Sequence, residues 1–304
     1  MTRVVIDRRK VSLEYATDCI IIRADGCAPR SLPLNRIHQI ICMHSVQLTT
    51  QLIGQLYKRG IDLVVINQRH EKHSFAVFAD QQKLVERRCR QYEWQLEEAR
   101  RLDIAKTLCR HKFTTVDRVV NQNARHIDIG PSMQQLDACL NEQTLRGIEG
   151  VLQRKVFEHW RGLLPEKYGF RQRERRPPKD PVNALLSLTY TIVYQDAVRQ
   201  ARRHGLDPQL GFYHRTAFGR HSLACDLMEP VRPCVEAWVT DLFANGTLDR
   251  RHFSSLEGRC LLGKSGRAIY YEALDVETSA WQRHLGAAAL WVARKLDNEI
   301  KLAA

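Results

Sequence analysis

One histidine and two acidic residues within residues 208–233 have the types and the spacing to hold a divalent cation. His214 precedes Asp226 by twelve residues, and Glu229 follows Asp226 by three. If the segment is helical, side chains at i and i+3 share one face, so the two carboxylates point the same way. Pro230 cannot donate to the Asp226 carbonyl, so we expect a helix kink beside both acids. Imidazole and carboxylate donors without sulfur suit Mg²⁺ or Mn²⁺ better than a structural zinc ion.

Basic residues surround this candidate site, namely Arg215, Arg220, His221 and Arg232. A hard cation within a basic cleft points to phosphodiester chemistry, because both features neutralise phosphate oxygens. The whole chain has the same bias, since 47 Lys and Arg against 34 Asp and Glu give a net charge of +13. Such an excess favours a polyanionic partner, and nucleic acid is the commonest one.

The same segment resembles the CRISPR-associated integrase family, the endonuclease of the universal adaptation pair. The family pattern GLDPxLGFxH is matched at residues 205–214 and SLAxDLMEPxRP at residues 222–233, with a short basic loop between them. Further matches occur in the same order as in the family. They lie at the start of the chain, from residues 6–9 through 33–34, in GIEG (147–150) and in PVNALLS (181–187). The resemblance therefore covers nearly the whole chain.

The resemblance implies a set of three metal ligands. Glu149 in the GIEG match aligns with the first ligand, and His214 also aligns with a ligand position. Taken alone, Glu149 would be an acid in the first turn of a helix, and His214 a hydrogen-bonded loop residue. For the third position, Glu229 aligns with the acid usually seen on the metal and Asp226 with the neighbouring acid. We expect Mg²⁺ or Mn²⁺ on Glu149, His214 and Glu229. Asp226 is then a catalytic co-ligand or a supporting base.

The resemblance also implies what the site does. A DNA 3′-hydroxyl would attack the scissile phosphate, so that short foreign DNA fragments are inserted at the leader end of a CRISPR array. The partners would be protospacer DNA and leader–repeat DNA, a second copy of the chain in a homodimer, and the small second adaptation protein. The rival interpretation is a non-catalytic basic nucleic-acid-binding protein in which the acids are structural.

A basic, proline-containing segment at residues 171–181 is a candidate phosphate-binding loop. Its three prolines exclude a helix, and its charge suits backbone phosphates, although a solvated linker would look similar. Tyr190 could stack on a base, but it shares a helical stripe with Leu186 and Val193, which is typical of a core residue. The residues expected to contact DNA are Arg171, Arg173, Arg176, Lys179, Asn183, Tyr190, Arg215 and Arg220.

Residues 258–265 satisfy the GxxxxGK[ST] pattern of a nucleotide-binding loop. Such a loop needs a buried strand before it and a helix after it. The preceding residues are polar and the loop interior is bulky, so we expect the short hairpin that the resemblance implies, rather than nucleotide hydrolysis.

The hydrophobic pattern changes near residue 82. Before it, segments at 3–6, 11–15, 19–24, 37–42, 61–66 and 75–78 predict strands, with one helix at 48–58. After it, a 3.6-residue period predicts helices at 84–108, 134–139, 150–160, 184–203, 222–243 and 270–300. The predicted fold is α+β. A small β-rich N-terminal dimerisation domain, residues 1–82, precedes a larger all-helical catalytic domain, residues 83–304.

The nine cysteines are scattered singly, and no pair has CxxC spacing. This pattern favours reduced thiols over a disulfide framework or a zinc ribbon. No run approaches eighteen apolar residues, and the N-terminal residues lack a long apolar region. We therefore expect a cytoplasmic protein with no membrane partner.

Overall fold

The computed structural model describes residues 2–67, 73–77, 84–121, 126–175 and 177–298. The chain divides into two compact units, Met1–Gln82 and Lys83–Ala304. Strands dominate the first unit and helices the second, so the predicted α+β class is confirmed. Within the described ranges, no helix has both the length and the apolar character needed to cross a membrane.

The described residues of the N-terminal unit form two four-stranded sheets and one helix. The first sheet has the order β1 (Thr2–Ile6), β5 (Ile37–Cys42), β7 (Asp62–Val65), β8 (Phe75–Val77). The second has the order β4 (Arg30–Pro33), β3 (Cys19–Ala24), β2 (Val11–Ala16), β6 (Val46–Leu48). Strand β5 pairs in parallel with β1 and β7, whereas β3 pairs antiparallel with β2 and β4. The helix is α1 (Thr50–Arg59).

Apolar side chains from both sheets and from α1 form the core of this unit. Leu13, Ile40 and Leu52 are fully buried within it. All six residues of β5 are buried, as expected for a central strand that is covered on both faces. Helix α1 starts where the Thr49 side chain accepts a hydrogen bond from the Leu52 N–H, and it ends at Gly60 with φ of 66°.

The described residues of the second unit form eight α-helices, two short 3-10 helices and one hairpin. The helices are α2 (Val85–Leu96), α3 (Glu98–Val120), α4 (Gly130–Ala138), α5 (Glu142–Leu163), α6 (Pro181–Arg203), α7 (Ser222–Met228), α8 (Arg232–Ala244) and α9 (Lys264–Asn298). The hairpin, β9 (Phe253–Leu256) and β10 (Arg259–Leu262), stands directly before α9. The hairpin includes most of the GxxxxGK[ST] match. Apart from this hairpin, the regular secondary structure described in the unit is helical.

Helix α6 is the central element of the helical unit. It packs against α7, α8 and α9, which explains why Leu185, Ala197 and Ala201 have no exposed surface. Its start is fixed by the Asp180 side chain, which accepts a hydrogen bond from the Asn183 N–H at 2.8 Å. A second part of the core lies between α3 and α5, which pack against each other.

The predicted helix at 222–243 is two helices, α7 and α8. Pro230 and Pro233 both lack the N–H that a continuous helix would direct at the carbonyls of Asp226 and Glu229. The Asp226 carbonyl instead accepts from the Glu229 N–H at 3.1 Å, and α7 ends there. The expected kink is therefore a complete break, and Glu229 lies in it.

The helix predicted at 150–160 is longer than expected. It begins at Glu142, where the Asn141 side chain accepts a hydrogen bond from the Thr144 N–H at 2.9 Å. Glu149 thus lies two turns inside α5 and not in a first turn, so the helix dipole does not account for it. The helix predicted at 84–108 is divided at Glu97 into α2 and α3.

Candidate active site

One buried carboxylate fastens the His214 loop to α7. Asp226 has no exposed surface and accepts hydrogen bonds from three successive backbone N–H groups. The donors are Phe212, Tyr213 and His214, at 2.6, 3.0 and 2.8 Å. Oδ1 of Asp226 also lies 2.7 Å from Nδ1 of His214. Because a carboxylate only accepts, Nδ1 carries a proton, and the neutral imidazole then keeps its lone pair on Nε2.

The close approach of loop and carboxylate requires glycine at position 211. A Cβ on Gly211 would lie 2.8 Å from Oδ2 of Asp226, 2.8 Å from the Ser222 carbonyl carbon and 2.9 Å from the His214 carbonyl oxygen. Two of these three atoms belong to the backbone, so they cannot move aside cheaply. The glycine of the GFxH match is therefore explained by packing.

Two of the predicted ligands meet at one buried ammonium group. Nζ of Lys112 on α3 donates to Oε1 of Glu149 and, at 2.8 Å, to Oε2 of Glu229. The Lys112 and Glu229 side chains are only 3% and 4% exposed, whereas Glu149 is 18% and His214 25% exposed. The cluster thus has a buried floor and a rim that solvent can reach.

Glu229 links the remaining members of the cluster. Its Oε1 lies 3.9 Å from Nε2 of His214 and 2.8 Å from Nε of Arg232. On the other side, the Tyr213 hydroxyl donates to Oε2 of Glu149 at 3.4 Å. The structure therefore brings Glu149, His214 and Glu229 together, and it places Asp226 behind His214.

Opposing charges set the protonation of the floor. Burial alone would raise the pKa of Glu229, but the charges of Arg232 and Lys112 outweigh burial and lower that pKa to about 2. Burial acts to lower the pKa of Lys112, yet Glu229 and Glu149 together raise it. Lys112 and Glu229 are therefore both charged at neutral pH.

The chemistry of the donors fits a hard divalent cation. Two carboxylates and one imidazole nitrogen are available without sulfur, and Asp226 orients the imidazole from behind, as is typical of metal-binding histidines. Among the described residues, no three His, Cys, Asp or Glu side chains lie close enough to hold a metal ion as they stand. The Lys112 ammonium takes the position between the two glutamates, so this space already accommodates a positive charge.

Lys112 is the site residue that sequence reasoning missed. The sequence does contain a signal for this residue. Leu108, Lys112 and Val116 follow one another at i+4 spacing on the buried face of α3. A lone lysine within an apolar stripe indicates a buried charge that needs a partner.

A second buried acid lies on α8 close to the floor. Glu236 accepts hydrogen bonds from the Gln153 side chain at 3.1 Å and from the Tyr190 hydroxyl at 2.6 Å. Burial raises the pKa of Glu236. The Tyr190 ring lies 5.6 Å from the Arg173 guanidinium and 5.1 Å from that of Arg232. The hydroxyl and the ring of Tyr190 are therefore both engaged within the protein.

Three of the residues expected to contact DNA are exposed, namely Arg171, Lys179 and Arg215. Lys179 lies 3.8 Å from Glu174, a separation at which an exposed ion pair is weak. A surface groove has four basic side chains in its lining. They are Lys167, Arg171, Lys179 and Arg250.

Three others are held by internal hydrogen bonds. Asn183 is fully buried, and its Oδ1 accepts from Arg173 at 2.9 Å. Arg173 is half-buried and also donates to Ser187 at 3.0 Å. Arg220 is half-buried and donates to the Arg215 carbonyl. Arg176 lies outside the described residues.

We expect Gly211→Ala to lower the free energy of unfolding by about 1–3 kcal/mol, because the added methyl overpacks the Asp226 contact. The matched control is Gly150→Ala in α5, where a Cβ would meet nothing within 4 Å. That variant should be as stable as wild type, or more stable by up to about 1 kcal/mol, because alanine favours a helix. Urea denaturation measures both. A Gly211→Ala protein as stable as wild type would contradict the packing explanation.

We expect Glu229→Gln to reduce the acid sensitivity of the fold. The Glu229 pKa is lowered from its ordinary 4.5 to about 2. Its ionised form therefore stabilises the protein above about pH 4.5, and this contribution is lost as the pH falls through about 2. The variant should be less stable at neutral pH, because Lys112 and Arg232 lose a partner, and should lose less stability between about pH 5 and pH 2.

Urea unfolding in EDTA across this pH range measures the difference. The control is Glu166→Gln, which changes an exposed acid. If Glu229→Gln keeps the full pH dependence of the wild type, the proposed charge balance of the floor is wrong.

Comparison with known proteins finds one family. Residues 4–275 match the family model described as CRISPR associated protein Cas1. A CRISPR-associated endonuclease Cas1 from Thermodesulfovibrio yellowstonii is 32% identical in an alignment of 285 residues that covers 89% of this chain and 89% of that protein.

Solved structures share the fold over nearly the whole chain. A CAS1 protein from Thermotoga maritima superposes with a TM-score of 0.88, at 19% identity and with 97% of each chain covered. A casposase bound to an integration product gives a TM-score of 0.83 at 21% identity, covering 97% of this chain and 91% of the other. A chain of a Cas6-RT-Cas1–Cas2 complex gives 0.80 at 20% identity, covering 98% of this chain and 35% of that chain.

Proposed function

The chain belongs to the Cas1 family of CRISPR-associated proteins, and on this basis we propose that it is a DNA endonuclease and integrase. Its reaction would insert short foreign DNA fragments into a CRISPR array. The observation that carries the proposal is the cluster of Glu149, His214 and Glu229, in which Glu229 is buried while Glu149 and His214 are partly exposed to solvent. The exposed Arg215 directly follows His214 in the sequence, and its positive charge suits a phosphodiester substrate.

Glu149, His214 and Glu229 would hold Mg²⁺ or Mn²⁺. Such a cation, when bound, polarises the scissile phosphate and stabilises the charge that develops on its oxygens. Asp226 keeps the His214 ring in one orientation and one tautomer through the Nδ1 contact. Arg232 and Lys112 keep Glu229 ionised and therefore ready to act as a donor.

The reaction would be a transesterification. The 3′-hydroxyl oxygen of the incoming strand bonds to phosphorus, and the bond from phosphorus to the 3′-oxygen of the array strand breaks. The hydroxyl proton is given up to solvent, and the released 3′-oxygen takes one. One phosphodiester is formed for each one broken, so no nucleotide hydrolysis is required. The GxxxxGK[ST] match lies largely in a hairpin, which is consistent with a reaction that hydrolyses no nucleotide.

The partners follow from the same proposal. The DNA substrates would be the protospacer and the leader–repeat junction, and the chain would act as a homodimer together with the small second adaptation protein. The shared fold with a chain of a Cas6-RT-Cas1–Cas2 complex supports an assembly of this kind. Arg171, Lys179 and Arg215 have the exposure that phosphate contacts need.

Alanine at Glu149, at His214 or at Glu229 should each reduce strand joining by at least about 100-fold, because each removes a donor from the reacting centre. DNA binding should change by less than about threefold, since the substitutions leave the exposed cationic side chains in place. Joining of a short duplex with free 3′-hydroxyls into a plasmid that carries a leader and repeat measures the first effect. Filter binding measures the second.

The assay needs parallel reactions with Mn²⁺, with Mg²⁺ and with EDTA, each with and without the small partner protein. The matched control is Glu166→Ala, which removes an exposed acid. Retained joining in all three variants would refute the ligand assignment. Tight DNA binding without joining under every condition would favour the non-catalytic DNA-binding protein.

Arg171→Gln combined with Lys179→Gln should weaken DNA binding and flatten its dependence on salt. Each lost phosphate contact should reduce the slope of log K against log salt concentration by about one. Binding titrations between about 50 and 200 mM salt measure this slope. The control is Arg30→Gln, an exposed arginine of the N-terminal unit. If the control has the same effect per charge, net charge and not this groove determines affinity.

A further inference from the structure

The side chain of Phe218 is completely exposed, at 109% of its reference area. No other described large apolar residue is exposed to this extent; Leu140 follows at 85%. Single exposed apolar residues are common and need no explanation by themselves. Phe218 is different because of its position, in the loop that connects His214 to α7.

A tight turn presents Phe218 to solvent. The Arg220 N–H donates to the Ala217 carbonyl at 3.2 Å, and Gly219 between them has φ of 69°. This positive φ suits glycine, so the turn brings Phe218 to its tip without strain. The position of the ring is therefore set by the backbone.

The base of the same loop is tied down on both sides. The Arg220 guanidinium and, at 2.9 Å, the Ser222 hydroxyl both donate to the Arg215 carbonyl. On the N-terminal side of Arg215, the backbone N–H groups of residues 212–214 hold the loop through their hydrogen bonds to Asp226. A ring on such a loop loses little conformational freedom on binding, so its contacts contribute fully to affinity.

The charge around Phe218 indicates which partner it contacts. Residues 208–225 contain no aspartate or glutamate, and Arg215 and Arg220 lie on either side of the turn. An exposed aromatic ring between cationic side chains matches the two parts of a nucleic-acid strand, since bases stack on aromatic rings and phosphates pair with cations. An unstacked nucleobase is the ligand that this arrangement fits best.

The chain length limits where this base lies. Phe218 is four residues from His214, and four extended residues span at most about 14 Å. At about 3.4 Å of rise per nucleotide, that span corresponds to roughly four nucleotides of one strand.

We propose that Phe218 stacks on an unpaired base of the DNA strand, within about four nucleotides of the phosphate at His214, and thereby positions the strand end for joining. The inference rests on the proposed function, because it takes DNA as the ligand. It adds to that function a base-stacking site that positions the reacting strand. Phe218 is a positioning residue, since the proposed ligands of the reacting centre are Glu149, His214 and Glu229.

The test uses the full chain with duplexes that end in short single-stranded 3′ overhangs. Each duplex carries the fluorescent base 2-aminopurine at one of the last five positions of the overhang. Stacking quenches this base, so binding in EDTA reports the contact without any chemistry. Wild-type protein should quench the fluorescence at one or two neighbouring positions and not at the others.

Phe218→Ala should abolish that quenching and weaken overhang binding by about 5- to 100-fold, as expected for the loss of one base–aromatic stack. Phe218→Trp should restore both. The matched control is Val276→Ala on α9, which removes another strongly exposed apolar side chain (75% exposed) and should behave as wild type. Because Phe218 makes no buried contact, the unfolding curve of each variant should match that of the wild type.

The outcomes separate this inference from the proposed function. Quenching that depends on Phe218 upholds the stacking site, even if no strand joining is ever observed. Strand joining in which Phe218→Ala matches wild type in quenching, affinity and rate overturns the stacking site and leaves the integrase proposal intact. Equal losses in Phe218→Ala and Val276→Ala also overturn it, because the effect would then not depend on position.

Discussion

The ammonium group of Lys112 joins three segments of the helical unit. It links α3 to Glu149 on α5 and to Glu229 in the break between α7 and α8. Removing one partner of such a buried pair typically costs about 3–5 kcal/mol, because the remaining charge is left without compensation. The placement of the three segments therefore depends on this contact. It also keeps Glu229 ionised.

Asp226 and Glu229 are three residues apart but have different surroundings and different tasks. Asp226 is saturated by three backbone N–H groups and by Nδ1 of His214, so its oxygens are committed to holding the loop. Glu229 faces Nε2 of His214 and forms ion pairs with Lys112 and Arg232. The break in the helix at Pro230 produces this difference. It frees Glu229 from a regular helical face and directs it to the open side of the imidazole.

Residue types and order along the chain were sufficient to predict the α+β class, the change of pattern near residue 82 and the segment that carries His214, Asp226 and Glu229. They did not identify Lys112, because its partner Glu229 is 117 residues away and only tertiary packing brings them together. Nor could they show that Asn183 and Arg173 bond to each other inside the fold. The exposure of these two side chains depends on how α6 packs. A sequence pattern shows which residues are apolar, but it does not show which polar residues are buried.

The positive charge of the chain thus has two physical roles that the net value of +13 combines. Lys112, Arg173 and Arg232 are enclosed and compensated by carboxylates, amides or ring faces, so they stabilise the site and are unavailable to phosphates. Arg171, Lys179 and Arg215 lie on the surface, where they are available to phosphates, and such pairing would release counterions. A buried floor whose charges are paired, together with cationic side chains on the surface, would let a polyanion approach the site without disturbing it.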